Sequence, residues 1–111
     1  MKNITTLLLF ILSGFFFSAM AATDTLKVKT SAICKECKER IETRLSFTKG
    51  IKSAALDLKT KEVTVIYNSE KIKPEEIKTA ITRSGYDADN LPADKKAYDK
   101  LPKCCKKGGP E

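Results

Sequence analysis

The side chains here best suited to soft-metal or redox chemistry are four cysteines: Cys34 and Cys37, separated by two residues, and the adjacent pair Cys104 and Cys105. Histidine is absent, and both methionines, Met1 and Met20, fall in the N-terminal apolar stretch. Metal chemistry would therefore run mainly through sulfur. Thiolates favour Cu(I), Hg(II), Cd(II) or Zn(II) over hard, oxygen-seeking ions. Two thiolates, one in a loop and one in the first turn of a helix, can point at one ion of low coordination number, which suits Cu(I) or Hg(II). A structural zinc site asks for four ligands, so Zn(II) or Cd(II) enters if Cys104 and Cys105 join Cys34 and Cys37.

The same residues carry other chemistries. A Cys34–Cys37 disulfide would close too short a loop to gain much chain entropy. A thiol-disulfide redox protein is the alternative function, because such enzymes also place Cys-x-x-Cys at a helix start. Against it, no tryptophan flanks the motif and the element order is wrong. A disulfide between the adjacent Cys104 and Cys105 would be strained. That pair could add sulfurs to the first site, capture an ion on a flexible arm, or bridge two chains into a dimer.

The elements that must position these thiols follow from periodicity. Leu26, Val28 and Thr30 alternate with Lys27, Lys29 and Ser31, as in a half-buried strand. A short loop then carries Cys34. Cys37, Ile41 and Leu45 recur every four residues, one helical stripe that ends at Gly50. Residues 51–58 and the alternating Val63, Val65 and Tyr67 read as a hairpin across Lys59-Thr60-Lys61. Pro74, Glu75 and Glu76 open a second helix with Ile77, Ala80 and Ile81 as its stripe and Gly85 as its stop. Residues 86–91 complete a β-α-β-β-α-β order, expected as an α+β ferredoxin-like fold with two helices on a four-stranded antiparallel sheet. Phe47 and Tyr67 are expected in the core. From Pro92, a short helix with Ala97, Tyr98 and Leu101 on its apolar side leads into a basic, glycine-rich tail with little reason to be ordered alone.

Residues 1–21 read as a cleaved signal peptide: Lys2, an apolar run from Ile4 to Phe17, and Ala19-Met20-Ala21 as a small-x-small cleavage site. The run is shorter than the ~20 residues of a membrane span, so no stable membrane insertion is expected after cleavage, and localisation is periplasmic or secreted. The expected organisation is a signal peptide (1–21), one small domain (22–91) and a Cys-containing tail (92–111). The formal charge of +7 would suit nucleic acid, but export argues against that partner. A solvated lysine-rich surface is the plainer reading, with an acidic partner or an anionic membrane surface as alternatives.

With a Cys-x-x-Cys after the first strand, Gly50-Ile51, Val63-Thr64-Val65 and Ala80-Ile81 followed by Ser84-Gly85-Tyr86, residues 25–91 resemble the heavy-metal-associated domain family. The family includes copper chaperones and the periplasmic mercuric-ion-binding protein. It usually carries a methionine before the first cysteine, where this chain has Ser31-Ala32-Ile33. The resemblance implies no catalysis. It implies one soft ion, Cu(I) or Hg(II), held by Cys34 and Cys37 and passed by thiolate exchange to a membrane transporter or other carrier, by a protein expected to be monomeric. It also places Tyr86 beside the metal loop. Lys35, Lys38 and Lys103 could offset the charge of a bis-thiolate complex, or simply face solvent.

Overall fold

In chain order, β1 (Thr23–Lys29), α1 (Lys35–Ser46), β2 (Ile51–Asp57), β3 (Glu62–Asn68) and α2 (Pro74–Arg83) appear where periodicity requires them. A short α3 (Lys95–Asp99) and a 3-10 turn over Lys103–Cys105 follow. The computed structural model describes residues 22–108. The expected signal segment, 1–21, and the last three residues of the tail lie outside the described residues.

The three strands form one antiparallel sheet in the order β1-β3-β2. Period-2 alternation sets Val28 opposite Val63 and Leu26 opposite Val65, so one face collects the apolar residues. Val28, Val63 and Val65 are fully buried there. Across from them lie Ile41 and Leu45 of α1 and Ile77 and Ile81 of α2, also fully buried. Each such side chain contributes about 1.5–3 kcal/mol through burial. Glu42 fastens α1 to the sheet: its Oε2 accepts the Leu56 N–H at 2.8 Å and the Lys38 ammonium at 2.7 Å.

Two expectations are corrected. The α+β fold is present, consistent with a ferredoxin-like arrangement, but the sheet has three strands among the described residues. The expected fourth strand shrinks to one antiparallel bridge, Ala88 to Thr30. Its continuation is blocked because the chain reverses at once, with Asp89 at φ +52° and Ala88 bridged to Leu91. The Asp89 side chain then accepts the Lys29 N–H at 2.9 Å, a bond that a continuing strand would supply from its backbone.

Phe47 is not core: it caps the C-terminus of α1 and is 87% exposed. Two residues past Leu45, it points about 200° away from the buried stripe.

The short helix expected after Pro92 is α3, and the tail, with little reason to be ordered alone, gains its order from the domain. Asp94 caps α3 by accepting the Ala97 N–H at 3.0 Å, and its own N–H donates to the Thr82 carbonyl of α2 at 2.9 Å. Leu101 is buried. The segment therefore docks on the domain.

Candidate metal centre

Cys34 sits at the N-cap of α1 in extended conformation (φ −144°, ψ 169°), and its carbonyl accepts the Lys38 N–H at 3.1 Å. The loop before it is anchored by Thr30, whose hydroxyl donates to the Lys61 carbonyl at 2.9 Å and accepts the Ala32 N–H at 3.2 Å. Cys34 is half-buried, while Cys37, one turn into α1, is fully buried. Their sulfurs lie 3.1 Å apart.

The structure brings the second pair to the same place. The 3-10 turn presents Cys105 inward, buried, with its Sγ 3.6 Å from that of Cys34. Cys104 Sγ is 4.0 Å from Cys105 Sγ and 3.1 Å from Glu36 Oε2, to which it donates. The sulfurs of Cys34, Cys104 and Cys105 all fall within 4.8 Å of one another. Cys34 is the hub.

Electrostatics separates the four thiols. For Cys34, burial pulls the pKa upward, but the Cys37 thiol and N–H, and then the Cys105 and Cys104 thiols, outweigh it and leave the group below the ordinary thiol value. The Glu36 carboxylate does most to push Cys104 up to about 11. Burial first, then the Cys37 thiol, raises Cys105 as well. Cys34 thus has the greatest thiolate character of these three at neutral pH.

Tyr86 lies fully buried beneath the cluster. Its hydroxyl faces Cys105 and Cys37 but completes no hydrogen bond, the one such buried side-chain oxygen or nitrogen among the described residues. Burial and these sulfurs raise its pKa strongly. The lysines expected near the site are placed differently from one another. Lys38 is held by Glu42 at 2.7 Å, and Lys35 borders a shallow depression with Ile33, Cys34, Leu58 and Lys59. Lys103 opens the 3-10 turn and is exposed.

Three contributors escaped the sequence reading. Glu36, the partner of Cys104, is an ordinary helix-surface acid by pattern. Asp87 and Lys107 form an ion pair at 2.7 Å that ties the tail to the domain, across 20 residues of chain. Gly85 was legible as a helix stop, at φ +100°, but it also lets the tail approach: a Cβ there would lie 3.0 Å from the Ala97 carbonyl oxygen and 3.1 Å from Leu101.

Residues 28–87, more than half of the chain, match the heavy-metal-associated domain. The chain belongs to the heavy-metal-associated domain family. It is 37% identical over 54 residues to a copper chaperone CopZ of Staphylococcus epidermidis, covering 49% of this chain and 79% of that one. Among solved structures, it resembles the N-terminal domain of a potential copper-translocating P-type ATPase from Bacillus subtilis in the Cu(I)-loaded state (28% identity, TM-score 0.57, 60% of this chain and 85% of that one). The fold alone is shared with an oxidized MerP from Ralstonia metallidurans (19% identity, TM-score 0.58, 61% and 96%). The heavy-metal-associated match ends at residue 87, before α3 and before Cys104 and Cys105.

Proposed function

We propose that this protein carries one soft metal ion, Cu(I) or Hg(II), on Cys34 and Cys37 and passes it to a membrane transporter or another carrier. The observation that carries this reading is the pairing of a half-buried, low-pKa Cys34 with a buried Cys37, their sulfurs 3.1 Å apart at the start of α1. Kinship with copper chaperones and with a Cu(I)-loaded transporter domain supports copper as the first candidate and a P-type ATPase as the acceptor. The N-terminal segment 1–21 supports export, with work in the periplasm or outside the cell.

Transfer proceeds by ligand exchange and needs no net redox change. An acceptor thiol loses its proton and bonds to the ion beside the half-buried Cys34. The three-thiolate intermediate then releases Cys34, which takes up a proton. A second acceptor thiol displaces Cys37 in the same way. The residues divide the work: Cys34 exchanges first because it is reachable, and Cys37 retains the ion until the acceptor is engaged.

Native mass spectrometry of the reduced protein, offered Cu(I), Hg(II) and Zn(II) together without oxygen, tests the reading. One retained Cu(I) or Hg(II) per chain is the expected result. No retained metal, with turnover of a disulfide substrate instead, would overturn it in favour of a thiol-disulfide redox protein built on the same two residues.

A further inference from the structure

The segment beyond the family match is fastened to the domain at several separate points, and its 3-10 turn sets the Cys105 sulfur 3.6 Å from that of Cys34. Asp94 bonds α2 through Thr82, Leu101 and Ala97 fill the space above Gly85, and the Lys107 ammonium pairs with Asp87. The Lys107 N–H donates to the Tyr98 hydroxyl at 3.0 Å, closing the turn that holds Cys104 and Cys105. A flexible arm would need none of these contacts.

We infer that Cys104 and Cys105 ligate the same ion as Cys34 and Cys37, closing one four-sulfur site for a d10 ion at coordination number three or four. The inference rests on the metal-binding reading above and changes what the site can hold. With a metal–sulfur bond of about 2.3 Å, sulfurs on one ion stand about 3.8 Å apart in a tetrahedron, about 4.0 Å in a triangle and about 4.6 Å in a line. The separations here are 3.1, 3.6 and 4.0 Å. The two that involve the tail lie near the tetrahedral and triangular edges, and the Cys34–Cys37 distance is far from the linear one. A linear ion on Cys34 and Cys37 alone would have to pull these two sulfurs apart by about 1.5 Å. The sulfurs of Cys34, Cys104 and Cys105 already stand within 4.8 Å of one another, and completing the fourth position asks Cys37, 3.1 Å from Cys34, to be drawn toward the tail sulfurs.

The orphaned Tyr86 hydroxyl points the same way. A buried donor without an acceptor costs about 1–3 kcal/mol. It faces Cys37 and Cys105, and a metal-bound thiolate at either position supplies the missing acceptor. Filling the site therefore satisfies a group that the empty thiols leave unpaired.

The ions this arrangement suits best are tetrahedral divalent ones, Cd(II) and Zn(II), together with three-coordinate Cu(I) or Hg(II). Cys105, with its sulfur 3.6 Å from that of Cys34, would also compete with an incoming acceptor thiol for the ion. Hand-off then requires the acceptor to displace Cys105 before it reaches Cys34, so the protein retains its cargo longer than a two-thiol carrier.

The test titrates Cd(II) into the reduced protein without oxygen and reads the ultraviolet sulfur-to-cadmium charge-transfer band, whose intensity grows with the number of bound thiolates. Three proteins are compared: the wild type, Cys104→Ser/Cys105→Ser, and the single variant Cys104→Ala, which leaves the buried Cys105 in place. Each is also offered Cu(I). The wild type is expected to bind one Cd(II) with the full band, Cys104→Ala to lose about a quarter of it, and the double variant about half. Removing an outer-shell partner already costs ~10–100-fold in metal affinity, so loss of two ligands should weaken Cd(II) binding at least ~100-fold. Equal bands and affinities in all three proteins would overturn the inference while leaving the two-thiol reading intact. A wild type that retains neither Cu(I) nor Cd(II) would overturn both.

Discussion

Cys34 is the residue on which the chemistry turns, because it is both the less buried sulfur of the Cys34/Cys37 pair and one whose neighbours favour the thiolate. Brief alkylation at pH 7 should therefore modify Cys34 first, Cys104 more slowly with its pKa near 11, and the buried Cys37 and Cys105 last. Peptide mapping by mass spectrometry reads this order, and fastest modification of Cys104 would contradict it. Tyr86 makes a different prediction. Tyr86→Phe removes a hydroxyl that completes no hydrogen bond in the metal-free protein, so unfolding free energy should stay level or rise by up to about 1 kcal/mol. The same variant should bind the ion several-fold more weakly, since the bound thiolate loses its donor. Destabilisation of the metal-free protein with unchanged metal affinity would assign Tyr86 to packing alone.

At the scale of elements, α1 and the docked tail must meet for the thiols to converge. Gly85 is where they do. Gly85→Ala places a side chain at φ +100° and drives it into Ala97 and Leu101. A cost of about 1–3 kcal/mol is expected, together with faster amide exchange over 95–107, both measurable by urea unfolding and hydrogen exchange. The Asp87–Lys107 tie carries a pH dependence of known sign. Lys107 does most to hold the Asp87 carboxyl below its ordinary value, so the contribution is present above the unfolded pKa of about 3.9 and is lost as pH falls through the lower folded value. Asp87 in turn raises Lys107, so at the alkaline end the contribution fades only above about 10.4. Tail protection should thus be flat between pH 5 and 9, and weaken below about 4 in the wild type but not in Asp87→Asn. Both helices, the hairpin and the sheet face were legible because their apolar residues repeat at periods of 3.6 and 2. The docking of residues 94–107 was not, since it depends on Gly85, Leu101 and an ion pair between positions that carry no local pattern. Neither was the loss of the fourth strand, which a reversal at Asp89 decides.

For the molecule as a whole, the Cys34/Cys37 pair was legible from spacing, helix start and the absence of histidine. The convergence of Cys104 and Cys105 was legible only as one option among several, because nothing in a basic tail reveals where it lands. Charge acts at this scale too. A formal +7 spread over exposed lysines favours an acidic acceptor, and its association rate should fall as salt rises, since charge steering is screened beyond ~8 Å at physiological ionic strength. Stopped-flow transfer measured at two salt concentrations reads this, and a salt-independent rate would remove charge from the account. The central claim is tested most directly by Cu(I) affinity, measured by competition with a chromogenic chelator for the wild type and Cys34→Ser. The wild type should hold one Cu(I) against the chelator, and Cys34→Ser, which removes the sulfur that joins the cluster, should surrender it. An unchanged affinity in Cys34→Ser would contradict the assignment of the site.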